Sequence, residues 1–229
     1  MRIVAKIRRT WTKLRLQPIH VFCLHHVCAE FDAESMEAGD WMQMDEFKEK
    51  ISAMRQSEIE FISLAEACKH ISGDLFRSKK FAVLTFDDGY ASLKEILPWL
   101  NEQNIPATLF LNGKYLDGKS YRTNSKERYL TKEDLDTLHK LSSYLTIASH
   151  GWEHTSALEM SADEFTRSVR QNVERLHTYP CYIPFHAYTW GKHTKDTDAY
   201  LQSQGIMPVY IDGQMNYNNH GIIHREIMN

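Results

Sequence analysis

Two carboxylates stand side by side, Asp87 and Asp88, at the end of the apolar run Phe81–Phe86 in the segment FAVLTFDDGY. Adjacent acids repel, so placing them at a strand end calls for a compensating cation, and the glycine that follows permits a sharp turn. Further along, IASHGWEHT sets His150 and His154 four apart. On a helix that spacing brings two imidazoles to one face, where they can share a metal. Two imidazoles and one carboxylate leave a coordination position open, the pattern of a catalytic metal site rather than a closed structural one. The second carboxylate is then available as a base. Two further segments carry suggestive chemistry: FCLHHV, where His25 and His26 end an apolar run, and PFHAYTWG, an aromatic stretch closed by Gly191. Taken singly, each has a plainer reading. One acid caps the next helix while the other is solvated, the histidines sit at the surface, and the aromatics pack a core.

Position within the chain separates these readings. From residue 19 onward, short apolar runs alternate with helical patterns. Ile19–Leu24, Phe61–Ile62, Phe81–Phe86, Ala107–Leu111, Leu145–Ala148, Tyr182–Ala187, Met207–Ile211 and Ile222–Ile227 read as strands. Phe47, Ile51 and Met54 mark one face of a helix that starts near Asp45, and Ser92–Gln103 is helical around Pro98. Thr131 with Asp134 and Ser161 with Glu164 have the spacing of capping boxes and open two more helices. Such alternation implies a parallel sheet, and about seven units imply a closed barrel. His25, Asp87, Asp88, His150 and Trp190 then all fall at the carboxyl ends of strands, the face on which barrels do their chemistry. The polar stretches 112–129 and 212–221 follow strands and are either surface loops or the rim of that face.

Composition narrows the class. The 229 residues, 42% hydrophobic and rich in aromatics, suit one folded domain, and the net charge of −3 lacks the basic excess of a nucleic-acid binder. No apolar run reaches the ~18 residues that span a bilayer. Cys23, Cys28, Cys68 and Cys181 are scattered, without a CxxC pair, and read as reduced thiols. The first 16 residues carry six basic side chains and no acid, with Ile3, Ile7, Trp11 and Leu14 at helical spacing. They read as a basic helical extension over 1–18, either packed on the domain or lying on an anionic membrane surface. No convincing signal peptide is present, so the expected location is the cytoplasm, with peripheral membrane contact through residues 1–16.

TFDDG followed by SHGWEH resembles the polysaccharide deacetylases, the family of chitin, peptidoglycan and poly-N-acetylglucosamine deacetylases. The resemblance runs from about residue 19 to 227 and implies a distorted (β/α)₇ barrel in a single domain, 19–229. It also implies roles: Asp87 as general base, and Asp88, His150 and His154 as ligands of a divalent metal. Zinc suits that ligand set best, and cobalt, nickel or iron would also fit it. HAYTWG resembles the stretch whose backbone N–H stabilises the oxyanion, here the amide of Trp190. The opening LHHV resembles the start of the circularly permuted branch, which includes the poly-N-acetylglucosamine deacetylases, and makes His25 the general acid.

The chain departs from the pattern at three places. Thr189 replaces a proline, Leu24 an aromatic, and Ala187 the arginine that orients the base in many relatives. Arg225, in the closing run IIHREI, resembles the arginine near the end of permuted members and is the expected substitute. The expected activity is metal-dependent removal of an N-acetyl group from a sugar, oligosaccharide or lipid-linked glycan, with release of acetate. Trp152, Tyr188 and Trp190 are the expected exposed aromatics for stacking on sugar rings. Two alternatives stay open: a sugar-binding protein without turnover, and an amidase acting on a non-sugar amide.

Overall fold

Alternating side chains along seven parallel strands build the centre of the molecule. In the computed structural model, which describes residues 17–34, 36, 41–73, 79–120, 126–217 and 221–228, twelve strands and six α-helices are ordered along the chain. The strands are β1 (Ile19–Leu24), β2 (His26–Cys28), β3 (Trp41–Gln43), β4 (Ile59–Phe61), β5 (Lys80–Phe86), β6 (Ala107–Leu111), β7 (Asp117–Lys119), β8 (Arg128–Thr131), β9 (Leu145–Ser149), β10 (Tyr182–Ala187), β11 (Met207–Ile211) and β12 (Ile223–Ile227). The helices are α1 (Met44–Gln56), α2 (Leu64–Ser72), α3 (Leu93–Glu102), α4 (Lys132–Leu141), α5 (Ala162–Leu176) and α6 (Lys195–Ser203). The basic segment 1–16, and with it the expected N-terminal helix and its membrane contact, lies outside the described residues. Among the described residues no helix is long and apolar enough to cross a membrane.

The ring β1–β12–β11–β10–β9–β6–β5 closes on itself through the β1–β5 pairing, and every pairing in it is parallel. This is the expected seven-stranded barrel. Its distortion has a visible cause. One edge of β5 is taken along its length by β1, while the other edge is shared, with β4 against Lys80–Ala82 and β6 against Leu84–Phe86. An eighth strand is thus wedged into the lower half of the wall.

Because strand side chains alternate between faces, one set fills the barrel and the other meets the helices. Val21, Val83, Phe110, Ala148 and Val209 belong to the interior cluster. Leu84, Phe86, Leu109 and Ile147 pack outward with residues of α1, α3 and α4. Phe47 and Ile51 of α1, four apart, are both fully buried, each contributing about 1.5–3 kcal/mol. The two expected capping boxes are present, Thr131 with Asp134 on α4 and Ser161 with Glu164 on α5, and a third, Thr194 with Thr197, opens α6. Pro98 lies inside α3. All four cysteines are free.

Candidate active site

Asp87 and Asp88 leave β5 on opposite courses. The Asp87 amide donates to the Leu24 carbonyl (2.9 Å), tying the end of β5 to the end of β1, where His25 follows. At Asp88 the backbone turns into the left-handed region, φ +66°, and stays there through Gly89 at φ +75°. A Cβ at Gly89 would stand 2.4 Å from Leu111 Cδ2, so this turn requires glycine on both counts. The Asp87 side chain continues into the barrel and that of Asp88 joins the rim.

Inside the barrel, Arg225 of β12 takes both oxygens of Asp87, Nη1 to Oδ1 at 2.6 Å and Nη2 to Oδ2 at 2.8 Å. Nη1 also donates to Thr85 Oγ1 (3.1 Å), and the guanidinium lies over the Phe110 ring, 5.0 Å from its centroid. Arg225 has no exposed surface, and such a buried charge is tolerated only when paired and hydrogen-bonded. The Cys23 thiol donates to Asp87 Oδ2 at 3.5 Å. Burial pushes the Asp87 pKa up, but Arg225 first, then His150, bring it down to about 2, so the carboxylate is ionised. Burial raises the Cys23 thiol well above its ordinary value. Ligand-capable atoms of Cys23, His25 and Asp87 also lie within 4.8 Å of one another. Arg225 already neutralises that grouping, so it is a poor place for a second cation.

On the rim, Asp88 Oδ1 lies 3.3 Å from His150 Nε2 and 3.1 Å from His154 Nε2, and ligand atoms of all three residues fall within 4.8 Å. His150 Nδ1 is 2.8 Å from the Ala187 carbonyl, which can only accept, so Nδ1 carries a proton, and in the neutral form of the ring the lone pair is on Nε2, facing Asp88. Asp88 Oδ1 is buried without an aligned hydrogen bond. Facing lone pairs of this kind repel unless a cation stands among them, and the donor set, one carboxylate and two imidazoles, suits a divalent metal. Burial raises the Asp88 carboxyl, but His154 and His150 hold it well below the usual range. Burial lowers His150, yet Asp87 and Asp88 raise it overall.

The two histidines meet without a helix. After β9 the chain bends irregularly, with Gly151 at φ +83°, and the rings come to 5.5 Å. The His150 carbonyl accepts from Asn112 Nδ2 (2.7 Å) and Thr189 Oγ1 (3.1 Å), and its amide donates to Leu111 O (3.0 Å). Asn172 of α5, fully buried, supports the same loop. Its amide nitrogen donates to Leu111 O and Ser149 Oγ, and its oxygen accepts from Gly113 N at 2.6 Å. The helical reading of the four-residue spacing is therefore corrected: a network of side-chain bonds to the backbone sets the loop.

Trp190 stands at φ +60°, a strained conformation for a large side chain, and meets His154 edge-on at 4.7 Å with 59% of its surface exposed. Gly191 follows at φ +64°, where a Cβ would lie 2.4 Å from Ile211. Thr189, in the place of a proline, ties this turn to His150. Trp152 is half-buried. Tyr188 corrects the expectation of an exposed aromatic. It is 1% exposed, and its hydroxyl donates to Asp198 at the start of α6 (2.8 Å), a partner ten residues away that nothing in the motif announces.

No curated protein matches the sequence. Among solved structures, IcaB from Ammonifex degensii superposes with a TM-score of 0.77 at 18% identity, covering 93% of this chain and 92% of that one. A Streptococcus pyogenes deacetylase, PplD, in complex with acetate gives 0.77 at 18%, with 93% of each chain covered. The deacetylase domain of BpsB from Bordetella bronchiseptica gives 0.69 at 15%, covering 93% and 97%. These likenesses establish a common fold. A family model, polysaccharide deacetylase, matches residues 76–209, more than half of the chain and spanning both the paired carboxylates and the histidine loop. The chain thus belongs to the polysaccharide deacetylase family and is a hydrolase of carbon–nitrogen bonds.

Proposed function

We propose that the protein hydrolyses the N-acetyl group of a sugar unit, releasing acetate and a free amine, with a divalent metal held by Asp88, His150 and His154. The observation that carries this reading is the convergence of two imidazole nitrogens, one of them on a ring held through Nδ1 by Ala187, on a single oxygen of Asp88. Bound there, a divalent metal supplies Lewis acidity, polarising the acyl carbonyl and acidifying water toward pKa ~7. Zinc is the metal proposed for this ligand set.

The chain's own residues handle the protons. Asp87 accepts one from the attacking water as the oxygen bonds to the acyl carbon. Arg225 grips both of its oxygens and fixes the direction from which it acts, at the cost of making it a weaker base. The Trp190 amide donates to the developing oxyanion, a contact typically worth ~3 kcal/mol. His25, half-buried at the end of β1, delivers a proton to the nitrogen as the carbon–nitrogen bond breaks. Acetate and the amine then leave.

An open rim supports a sugar over a small amide, since the exposed indole of Trp190 beside His154 offers a stacking face rather than a closed pocket. The Arg225–Asp87 contact favours turnover over a binding-only role, since it gives the base an orienting arginine although Ala187 stands at that arginine's usual place. Acetate release from short N-acetylglucosamine oligomers by metal-reconstituted protein tests the proposal, with Asp88→Ala as control. Release that depends on Asp88 is expected. Equal release from the variant would refute the metal site.

A further inference from the structure

Trp190 and Gly191 lie back to back in the left-handed region, at φ +60° and φ +64°. Backbone strain of that kind persists only where the surroundings over-determine it. Inside the turn, Gly191 N donates to Tyr188 O (2.9 Å) and Lys192 N to Thr189 O (3.3 Å). From outside, one carboxylate holds the residues at both ends. Asp198 Oδ1 accepts from the Tyr188 hydroxyl at 2.8 Å, and Oδ2 lies 3.2 Å from His193 Nδ1. A carboxylate oxygen only accepts, so Nδ1 carries a proton and donates it. Burial above all raises the Tyr188 hydroxyl well above its ordinary value, which keeps it a donor.

Stacked rings add a second hold on the same two residues. His193 lies on Tyr210 of β11, centroids 4.0 Å apart and planes 15° from parallel, and on Tyr188 at 5.2 Å. Tyr188 also stacks on Phe165 of α5 at 6.1 Å. Asp198 is placed by α6, where Leu201 is fully buried in one cluster with Tyr188, Tyr210 and Phe165. That helix has its own cap in Thr194 and Thr197, so the two contacts of Asp198 are not needed to start it. The proposed mechanism gives no role to Asp198, Tyr188 or His193, yet it depends on where the turn between Tyr188 and His193 points the Trp190 N–H.

We propose that Asp198 is a positioning residue that clamps Tyr188 and His193, and so holds the Trp190 amide toward the place where the oxyanion develops. The inference rests on the oxyanion role given to that amide above. A shift of about 1 Å in a group of this kind can cost about 100-fold in rate.

Two readouts on metal-reconstituted, full-length protein test the clamp: acetate release from short N-acetylglucosamine oligomers, and the Trp190 main-chain amide signal in protein labelled with ¹⁵N-tryptophan. The chain has five tryptophans, and Trp190→Phe assigns the signal. Asp198→Ala is expected to lower kcat about 10–100-fold, with KM within about twofold of wild type and bound metal unchanged. Its Trp190 signal is expected to shift or broaden. Tyr188→Phe and His193→Phe keep their rings and detach one end each, so each is expected to lose less than Asp198→Ala. Their double variant is expected to match Asp198→Ala, and it decides the question if Asp198→Ala does not fold. A merely structural contact would lower the melting temperature and leave kcat of the folded protein alone. Wild-type kcat in Asp198→Ala, a loss confined to KM, or an unmoved Trp190 signal would overturn the clamp. A wild-type protein that releases no acetate, with the Trp190 signal still moving in the variants, would instead overturn the deacetylase reading and leave the clamp standing.

Discussion

Asp87 and Asp88 are neighbours in sequence, equally buried, and oppositely treated. Both Asp87 oxygens are occupied by Arg225, one of them also by the Cys23 thiol, and the supporting groups come from strands of the barrel wall. Asp88 sits on a left-handed turn and presents an oxygen with no aligned hydrogen bond to two imidazoles carried by an irregular loop. A saturated carboxylate is held still, whereas an unsaturated one waits for a partner that the polypeptide does not provide. The pair teaches that burial alone does not distinguish a base from a ligand. Hydrogen-bond satisfaction does.

The comparison breaks most severely if Asp87 is made as unpartnered as Asp88. Arg225→Ala leaves a carboxylate stranded in the barrel and is expected to lower stability by about 3–5 kcal/mol, read by denaturant unfolding. Arg225→Lys keeps the charge but loses the bidentate grip, and is expected to fold better than Arg225→Ala while turning over more slowly than the wild type. On the metal side, Asn172→Ala strips donors or acceptors from Gly113, Leu111 and Ser149 at once. An unfolding measurement is expected to show a loss of about 1–3 kcal/mol for each group left unpaired and dry.

A pH experiment sharpens the same contrast through His186, whose Nδ1 is 2.9 Å from Ser149 Oγ, itself bonded by Asn172. Burial above all, then His150, pushes its pKa down to about 3. The unfolded chain binds a proton below about 6.5 that the folded chain refuses, so stability falls as pH drops from there toward 3. The slope is about 1.4 kcal/mol per pH unit, and His186→Gln is expected to flatten it. The smallest effect is expected at Cys23. Cys23→Ala removes a weak donor from an oxygen that Arg225 still holds, so kcat should fall less than it does in Arg225→Lys.

The sequence made legible what is local and periodic. Capping boxes and the paired acids lie where patterns within a few residues put them, and most strand ends fall within one residue of theirs, the exception being β4, which runs Ile59–Phe61 and leaves Ile62 outside. Arg225 came within reach through its resemblance to the permuted members, although its partner lies 138 residues away. What stayed hidden depends on contacts that no spacing encodes. The stretch 112–129 read as polar loop, yet β7 and the start of β8 lie there, paired antiparallel with each other, with β8 also bonded to the Asp88 turn, and neither strand carries a periodic apolar run. Glu127 gave no signal, since a buried carboxylate looks like any surface acid until its neighbour His26, 101 positions earlier in the numbering, folds to within 3.3 Å of it. Tyr188 was misread for the same reason. The HxxxH spacing pointed to the right residues through the wrong geometry, because glycine and the bonds of Asn112 and Thr189 let a bent loop do what a helix turn does elsewhere.

The central claim is that adjacent carboxylates have separate duties, and Asp87→Asn beside Asp88→Asn tests it most directly. Bound metal and acetate release would be measured on the same preparations. The account predicts that Asp87→Asn retains a full complement of metal and loses turnover, while Asp88→Asn loses both. Wild-type turnover in metal-loaded Asp87→Asn, or undiminished metal in Asp88→Asn, would contradict it.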